Sequence, residues 1–266
     1  MMPTRQIRFA RKSVTTTAAV LSLAMCGSTF AGFVAWNAPT TISGDNDVSL
    51  SGSLVAAFNF GGPNIAATTV RGVTFDPFAV GDQVNVSGNF KASGAIAIDG
   101  VNGGLGEIVA PFSALSNNYQ ELLDSAALTF ADGTSTTNII LEMAALTIGR
   151  QYEFQWWANA SKEQNAPLFN PSGPPPPPIA MTTATAGGSV SLFQTGATAG
   201  SVGQFAIGTF TADSTIQTIT FSALSGRNVV NAFQLRDLSA PAVPEPGTCL
   251  FGIALCGFVA TFRRRI

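Results

Sequence analysis

The stretch with the densest chemical potential is Tyr152-Glu153-Phe154-Gln155-Trp156-Trp157-Ala158-Asn159. Read as a strand of period two, it sends Tyr152, Phe154, Trp156 and Ala158 to one face, the natural core face. Glu153, Gln155, Trp157 and Asn159 go to the other. An indole flanked by an acid and two amides on a solvated sheet face makes a sugar platform. The ring stacks on the C–H face of a pyranose while the polar groups bond its hydroxyls. The same residues fit a second reading, in which the proline-rich loop at 161–178 covers Trp157 or the ring packs across strands.

A second group is Gly44-Asp45-Asn46-Asp47. Asp-x-Asp in a glycine-flanked loop offers hard oxygen ligands, which makes Asp45 and Asp47 candidates for a structural Ca²⁺. No glutamate closes an EF-hand loop, and turn formation by Asp and Asn explains the segment equally well. No other cofactor is expected.

The catalytic inventory is thin. The chain has no histidine, so Ser-His-Asp and Cys-His catalysis are absent, as is the commonest zinc ligand. Its three cysteines, Cys26, Cys249 and Cys256, lie close to the two ends. Paired carboxylates for glycoside hydrolysis are available among Asp99, Glu107, Glu121, Glu142 and Glu153, but no local context singles out two. The expectation is a protein that is not an enzyme, with a weak glycosidase as the minor alternative.

Three elements position these residues. At the N-terminus, Arg5, Arg8, Arg11 and Lys12 precede an apolar run from Val14 to Met25, and Thr29 and Ala31 are small residues before Gly32. This is the pattern of a signal peptide covering residues 1–31, cleaved between Ala31 and Gly32 by signal peptidase. At the other end, Val243-Pro244-Glu245-Pro246 is stiff and non-helical, because each proline fixes its own φ and pushes its predecessor towards an extended conformation. The 16 uncharged residues Gly247 to Phe262 follow, then Arg263, Arg264 and Arg265 as a stop-transfer block. As a helix, 247–262 reaches only ~24 Å at ~1.5 Å per residue. It is a short transmembrane segment for a core of ~30 Å, and the arginines stay cytoplasmic.

The order and spacing of the three tail parts resemble the PEP-CTERM sorting signal of Gram-negative bacteria. That resemblance implies an exosortase, a membrane-embedded cysteine transpeptidase, as the partner that reads Val243–Pro246 and removes the tail. It also implies an exported protein, transiently anchored in the inner membrane and then displayed at the cell surface or outer membrane, or released.

Between the ends, residues 32–242 carry six basic and 14 acidic side chains, a net charge of −8. An acidic body with scattered cations does not suit nucleic acid. Short runs rich in Val, Ile, Thr and Phe, separated by Gly, Asn, Asp and Ser, predict an all-β fold, a single antiparallel β-sandwich. Strands are expected at Leu54–Asn59, Thr69–Phe75, Gln83–Phe90, Asn138–Leu146, Gln151–Asn159, Gly188–Phe193, Gln204–Phe210, Ile216–Phe221 and Val229–Leu238. A helical stretch, Tyr119–Ser125, is expected to be capped by Asn117-Asn118. Residues 161–178, with prolines 174–178 in succession, read as an exposed loop.

The body resembles, more loosely, the jelly-roll ectodomains that precede such tails in planctomycete and verrucomicrobial proteins. The matching pieces are Arg71–Phe75, Tyr119–Leu123, Tyr152–Asn159 and Gln204–Asp213. That likeness implies a fold similar to carbohydrate-binding modules. The expected function is a structural or adhesive cell-surface or matrix protein, with a carbohydrate-binding module, and extracellular polysaccharide as its partner, as the alternative.

Overall fold

The computed structural model of the chain describes residues 32–81, 84–98, 104–131, 138–164, 181–196, 201–223 and 226–239. Strands β1 (Ala35–Trp36), β2 (Thr40–Thr41), β3 (Ser53–Gly61), β4 (Thr68–Val70), β5 (Val73–Ala79), β6 (Asn85–Ser87), β7 (Phe90–Ser93) and β8 (Ile96–Ile98) precede helix α1 (Asn117–Asp124). Strands β9 (Ala126–Ala131), β10 (Ile139–Met143), β11 (Gln151–Ala158), β12 (Met181–Ala186), β13 (Gly188–Phe193), β14 (Gln204–Thr211), β15 (Gln217–Ser222), β16 (Gly226–Val230) and β17 (Ala232–Asp237) follow it. The protein is mostly β, as its β-branched and aromatic runs predict.

These strands form an eight-stranded sheet in the order β1-β14-β11-β17-β3-β5-β4, with β2 also on β14. A six-stranded sheet runs β13-β12-β15-β10-β7-β6, and a third, of three strands, runs β16-β9-β8. None of them closes into a barrel. Among the described residues every pairing is antiparallel except β3 with β5, which is parallel, so the expectation of a purely antiparallel arrangement fails there.

The main core lies between the two larger sheets. Phe58, Phe60, Phe154, Trp156, Phe233 and Leu235 from one meet Leu141, Ala184, Leu192, Ile219 and Phe221 from the other. Trp156 packs edge-on to Phe221 with ring centroids 4.9 Å apart, and Phe154 stacks on Phe233 at 5.6 Å. A second cluster covers the opposite face of the eight-stranded sheet, where Tyr119, Leu122 and Leu123 of α1 pack with Phe75, Trp157, Phe205 and Ala232. One sheet thus has apolar partners on both sides.

Several element boundaries correct the sequence reading. Thr69–Phe75 is a hairpin, not one strand: Arg71 and Gly72 have φ of 51° and 78°, the paired positive values of a two-residue turn matched to strand twist. Gln83–Phe90 likewise divides into β6 and β7 around Gly88, with Gln83 outside the described residues. Val229–Leu238 is broken at Asn231, where the chain leaves the three-stranded sheet and joins the eight-stranded one. The α1 cap is Ser116, whose Oγ accepts from the Tyr119 amide at 3.2 Å; Asn117 and Asn118 are already helical. Strands β9 and β12 were not expected from the sequence, because Ala126-Ala127-Leu128 and Thr182-Thr183-Ala184-Thr185 lack the bulky alternation that marks a strand.

The signal-peptide side of the cleavage point, including Ala31, lies outside the described residues. So do the motif Val243–Pro246, the apolar run 247–262, the block Arg263–Arg265 and residues 165–178 of the proline-rich segment. Ser161–Gln164, the start of that segment, is a 3-10 turn and not open loop. Among the described residues no helix is long and apolar enough to cross a membrane.

Candidate functional site

The alternation along β11 holds: Trp156 points into the core between the sheets and Trp157 into the cluster on the opposite face. That opposite face is covered, which corrects the expectation of a solvated platform. Trp157 is 0 % exposed, its ring 5.6 Å from Phe75 in an edge-to-face arrangement. Its Nε1 donates to Tyr119 Oη at 2.9 Å. No sugar ring reaches an indole enclosed in this way, so the stacking residue of the sequence reading is a core residue.

The polar members of the row have partners of a particular kind. Residues 47–52 cross the face of the sheet before turning into β3. A segment lying across a face cannot join the ladder, whose hydrogen bonds lie in the sheet plane, so its peptide groups need side-chain partners. Gln155 supplies two: Nε2 donates to Asp47 O at 2.7 Å, and Oε1 accepts from the Ser49 amide at 2.9 Å. Gln234, directly opposite on β17, donates from Nε2 to Ser49 O at 3.0 Å and to Gln155 Oε1 at 2.6 Å. One step further along the same strand, Arg236 donates to Ser51 O and Gly52 O. Three side chains thus fasten one crossing segment. At its end Gly52 has φ +60°, and a Cβ there would lie 2.2 Å from Asp237 O, so only glycine fits.

Glu153 is buried opposite Arg236 in the ladder, and its Oε1 has no hydrogen-bond partner among the described residues. Burial lowers the Arg236 pKa from the usual arginine value, and the charge of Glu153 acts in the opposite sense. Asn159 is also buried. Its Oδ1 accepts from the Gly203 amide at 3.1 Å, and its Nδ2 donates to Leu123 O at 3.3 Å. Asn231 donates to Leu123 O and Ser125 O at 2.8 and 2.9 Å, so two buried amides serve the C-terminal carbonyls of α1.

Asp45 and Asp47 sit on a 3-10 turn, Asp45–Asp47. Asp47 Oδ2 accepts from the Ser43 and Gly44 amides at 2.6 and 3.0 Å and from Tyr119 Oη at 3.3 Å, while Oδ1 accepts from Ser43 Oγ at 2.7 Å. Asp45 Oδ1 accepts from Ser116 Oγ at 2.6 Å. The Arg71 guanidinium donates to Asn46 O and Val48 O at 2.9 and 2.8 Å, so a cation already lies on this turn. Both carboxylates organise the turn and join it to α1. Among the described residues no three His, Cys, Asp or Glu side chains gather. Burial, and then the charge of Asp47, pushes the Tyr119 pKa well above the usual phenol value.

What remains accessible is a groove of about 710 Å³ beside the crossing segment, lined by Asn46, Ser49, Ser51, Arg71, Phe205 and Ile207 among others. It adjoins that packing: Asn46, Asp47, Ser49 and Ser51 supply backbone groups to it, Arg71 donates to the turn, and Phe205 belongs to the apolar cluster. The sequence reading placed no function at Arg71, Gln234, Arg236 or Tyr119, and no local motif marks them. The one signal available was that Gln234 and Arg236 alternate with Phe233 and Leu235, which places polar residues on a strand face the sheet must cover.

No protein-family model and no curated protein matches the chain. Among solved structures, Bacteroides uniformis beta-glucuronidase 2 covalently bound to cyclophellitol-6-carboxylate aziridine is similar at 16% identity, with a TM-score of 0.42. The alignment covers 69% of this chain and 18% of that one, so the chain spans less than a fifth of its neighbour's length.

Proposed function

We propose that this chain is an exported, non-catalytic protein of the cell surface or extracellular matrix, built on a jelly-roll-like β-sandwich. In this reading signal peptidase removes residues 1–31 and an exosortase reads Val243–Pro246. The observation that carries it is the tail itself: a rigid Pro-Glu-Pro element, a charge-free run and three arginines in unbroken succession. The site chemistry is in keeping with a structural role, because the polar row on β11 serves the fold's own backbone. Intact-mass analysis of the protein from its native host tests the proposal. The expected product begins at Gly32 and lacks the arginine block. A soluble cytosolic chain still ending Arg265-Ile266 overturns it.

A carbohydrate-binding role is the second reading, and the groove favours it rather than Trp157. Phe205 and Ile207 offer an apolar floor, and Arg71, Asn46 and the two serines offer polar groups at its edge. A glycan array with the wild type and Arg71→Ala separates the two readings: loss of a wild-type signal in the variant supports binding, and an array without signal removes it.

A further inference from the structure

Both flanking segments leave the body at one end. Gly32 lies beside the close of β14, where its carbonyl accepts from Gln217 Nε2 at 3.1 Å and a Cβ would lie 3.0 Å from Thr211 O. Ser239 lies beside the start of β11, its Oγ accepting from the Gln151 amide at 2.9 Å. Gln151 and Thr211 are themselves partners in the β11–β14 ladder. The points where residues 1–31 and 240–266 join the body therefore straddle a single strand pair.

That end is unusually apolar for a set of turns, where Gly, Asn, Asp and Ser normally predominate. Phe33 is 66% exposed, Ile148 61% and Ile216 48%. Ile148 sits in the turn between β10 and β11, and Ile216 in the turn between β14 and β15. The two turns are bonded to each other: the Gly149 amide donates to Ala212 O at 2.7 Å and the Leu146 amide to Thr215 O at 3.1 Å. Phe33 is set against the third turn of this end, at Gly187, where an added Cβ would lie 2.9 Å from the ring. The isoleucines are thus presented on braced turns. Among the charges nearby, Arg150 is paired with Asp237, and Asp213 is the other charged residue of the two turns.

We propose that this end, through Phe33, Ile148 and Ile216, is a lipid-contacting face that rests on the bilayer surface while the precursor is anchored. The inference rests on the reading of 247–262 as a membrane segment. Seven residues separate Ser239 from Gly247. At ~3.3 Å per residue the body therefore stands no more than roughly 26 Å from the apolar run, with this end foremost. Apolar side chains on a near-neutral surface suit the headgroup boundary of a zwitterionic bilayer rather than an electrostatic attachment to anionic lipid.

The test uses the full chain with Cys26→Ser, Cys249→Ser and Cys256→Ser, reconstituted into phosphatidylcholine vesicles containing a fraction of doxyl-labelled lipid. A fluorophore is placed on Ile148→Cys or, as the control, on Ile108→Cys. Ile108 is 87% exposed and belongs to the opposite end, where the neighbouring Glu107 amide donates to Ser161 Oγ beyond the close of β11. Quenching at 148 is expected to exceed that at 108 by roughly threefold or more, given side chains set into the headgroup layer. Adding Phe33→Ser and Ile216→Ser should reduce the difference. A chain that floats with the vesicles but is quenched equally at both positions overturns the lipid face and leaves the anchor reading standing. Efficient disulfide formation between two copies through position 148 overturns it in favour of self-association. A chain that does not float overturns both.

Discussion

The indole nitrogen of Trp157 donates to the hydroxyl of Tyr119 at 2.9 Å, and neither ring has any exposed surface. This one bond ties an interior strand of the largest sheet, β11, to the helix that covers it. It also decides what Trp157 is for: it holds α1 and the turn at Asp47 against β11.

Trp157→Ala should therefore destabilise the fold by about 3–5 kcal/mol, the usual cost of removing a buried aromatic side chain. Trp157→Phe keeps most of the packing and loses the hydrogen bond, so its cost should be nearer ~1–2 kcal/mol. Urea unfolding followed by circular dichroism measures both. An unchanged midpoint for the alanine variant would mean that Trp157 is not the core residue described here.

Gln155→Leu removes partners from the Ser49 amide, the Asp47 carbonyl and the Gln234 amide together. Leaving such groups unmet costs about 1–3 kcal/mol. Because the loss falls on residues 47–52, hydrogen exchange at the Ser49 amide should accelerate more than at amides of β14. Uniform acceleration across the body would show that the clamp is not local.

Tyr119 should resist alkaline ionisation, since burial and then the charge of Asp47 raise its pKa. For an acid whose folded pKa lies above its unfolded value, stability is present below the unfolded value of about 10 and is lost as pH rises through the folded one. In a Tyr152→Phe background the phenolate absorbance of Tyr119 is expected to appear only together with unfolding. A reversible titration near pH 10 in the folded protein contradicts this.

Asp237 behaves in the opposite sense. Burial pushes its pKa up, but hydrogen bonds from Arg150 and Ser239 and the Arg150 charge outweigh that and hold it below the usual aspartate value. Its contribution is present above the unfolded value of about 3.9 and is lost as pH falls through the lower folded value. The stability gap between wild type and Asp237→Asn should accordingly be full at neutral pH and shrink below pH ~4. A gap that stays constant down to pH ~2 excludes the ion pair with Arg150 as its source.

Replacing Pro244 and Pro246 together by alanine tests the sorting proposal from the sequence side. Alanine is the best helix former, and the change removes two residues that enforce an extended peptide. The expected result in pulse-chase with membrane fractionation is accumulation of membrane-bound precursor, with the body folded normally. Maturation at the wild-type rate would mean that the tail is an anchor and nothing more.

Local patterns in this chain proved readable where the cause was local. Gly188–Phe193 forms a strand over the residues expected, and β3, β11 and β14 differ from expectation by a residue or two at their ends. The helix was legible from Tyr119 to Asp124, although its cap lay one residue further upstream than expected, at Ser116. The hairpin at Arg71-Gly72 was missed because Gly72 is a lone turn residue in a run otherwise rich in strand formers, and the positive φ at both turn residues divides it.

The sequence by itself determined the β character of the body, the alternation that parts Trp156 from Trp157, and the absence of histidine from any site. Each follows from composition or from the two-residue repeat of a strand, which is a property of neighbouring residues. Only the tertiary structure decided that neither face of β11 is wet. That outcome depends on Ser49 reaching Gln155 across 106 residues and Tyr119 reaching Trp157 across 38. A strand's period states which residues share a face, but what covers that face is fixed by segments arriving from elsewhere in the chain. Here α1 and residues 47–52 arrive on the side that carries Glu153, Gln155, Trp157 and Asn159, and they make it interior.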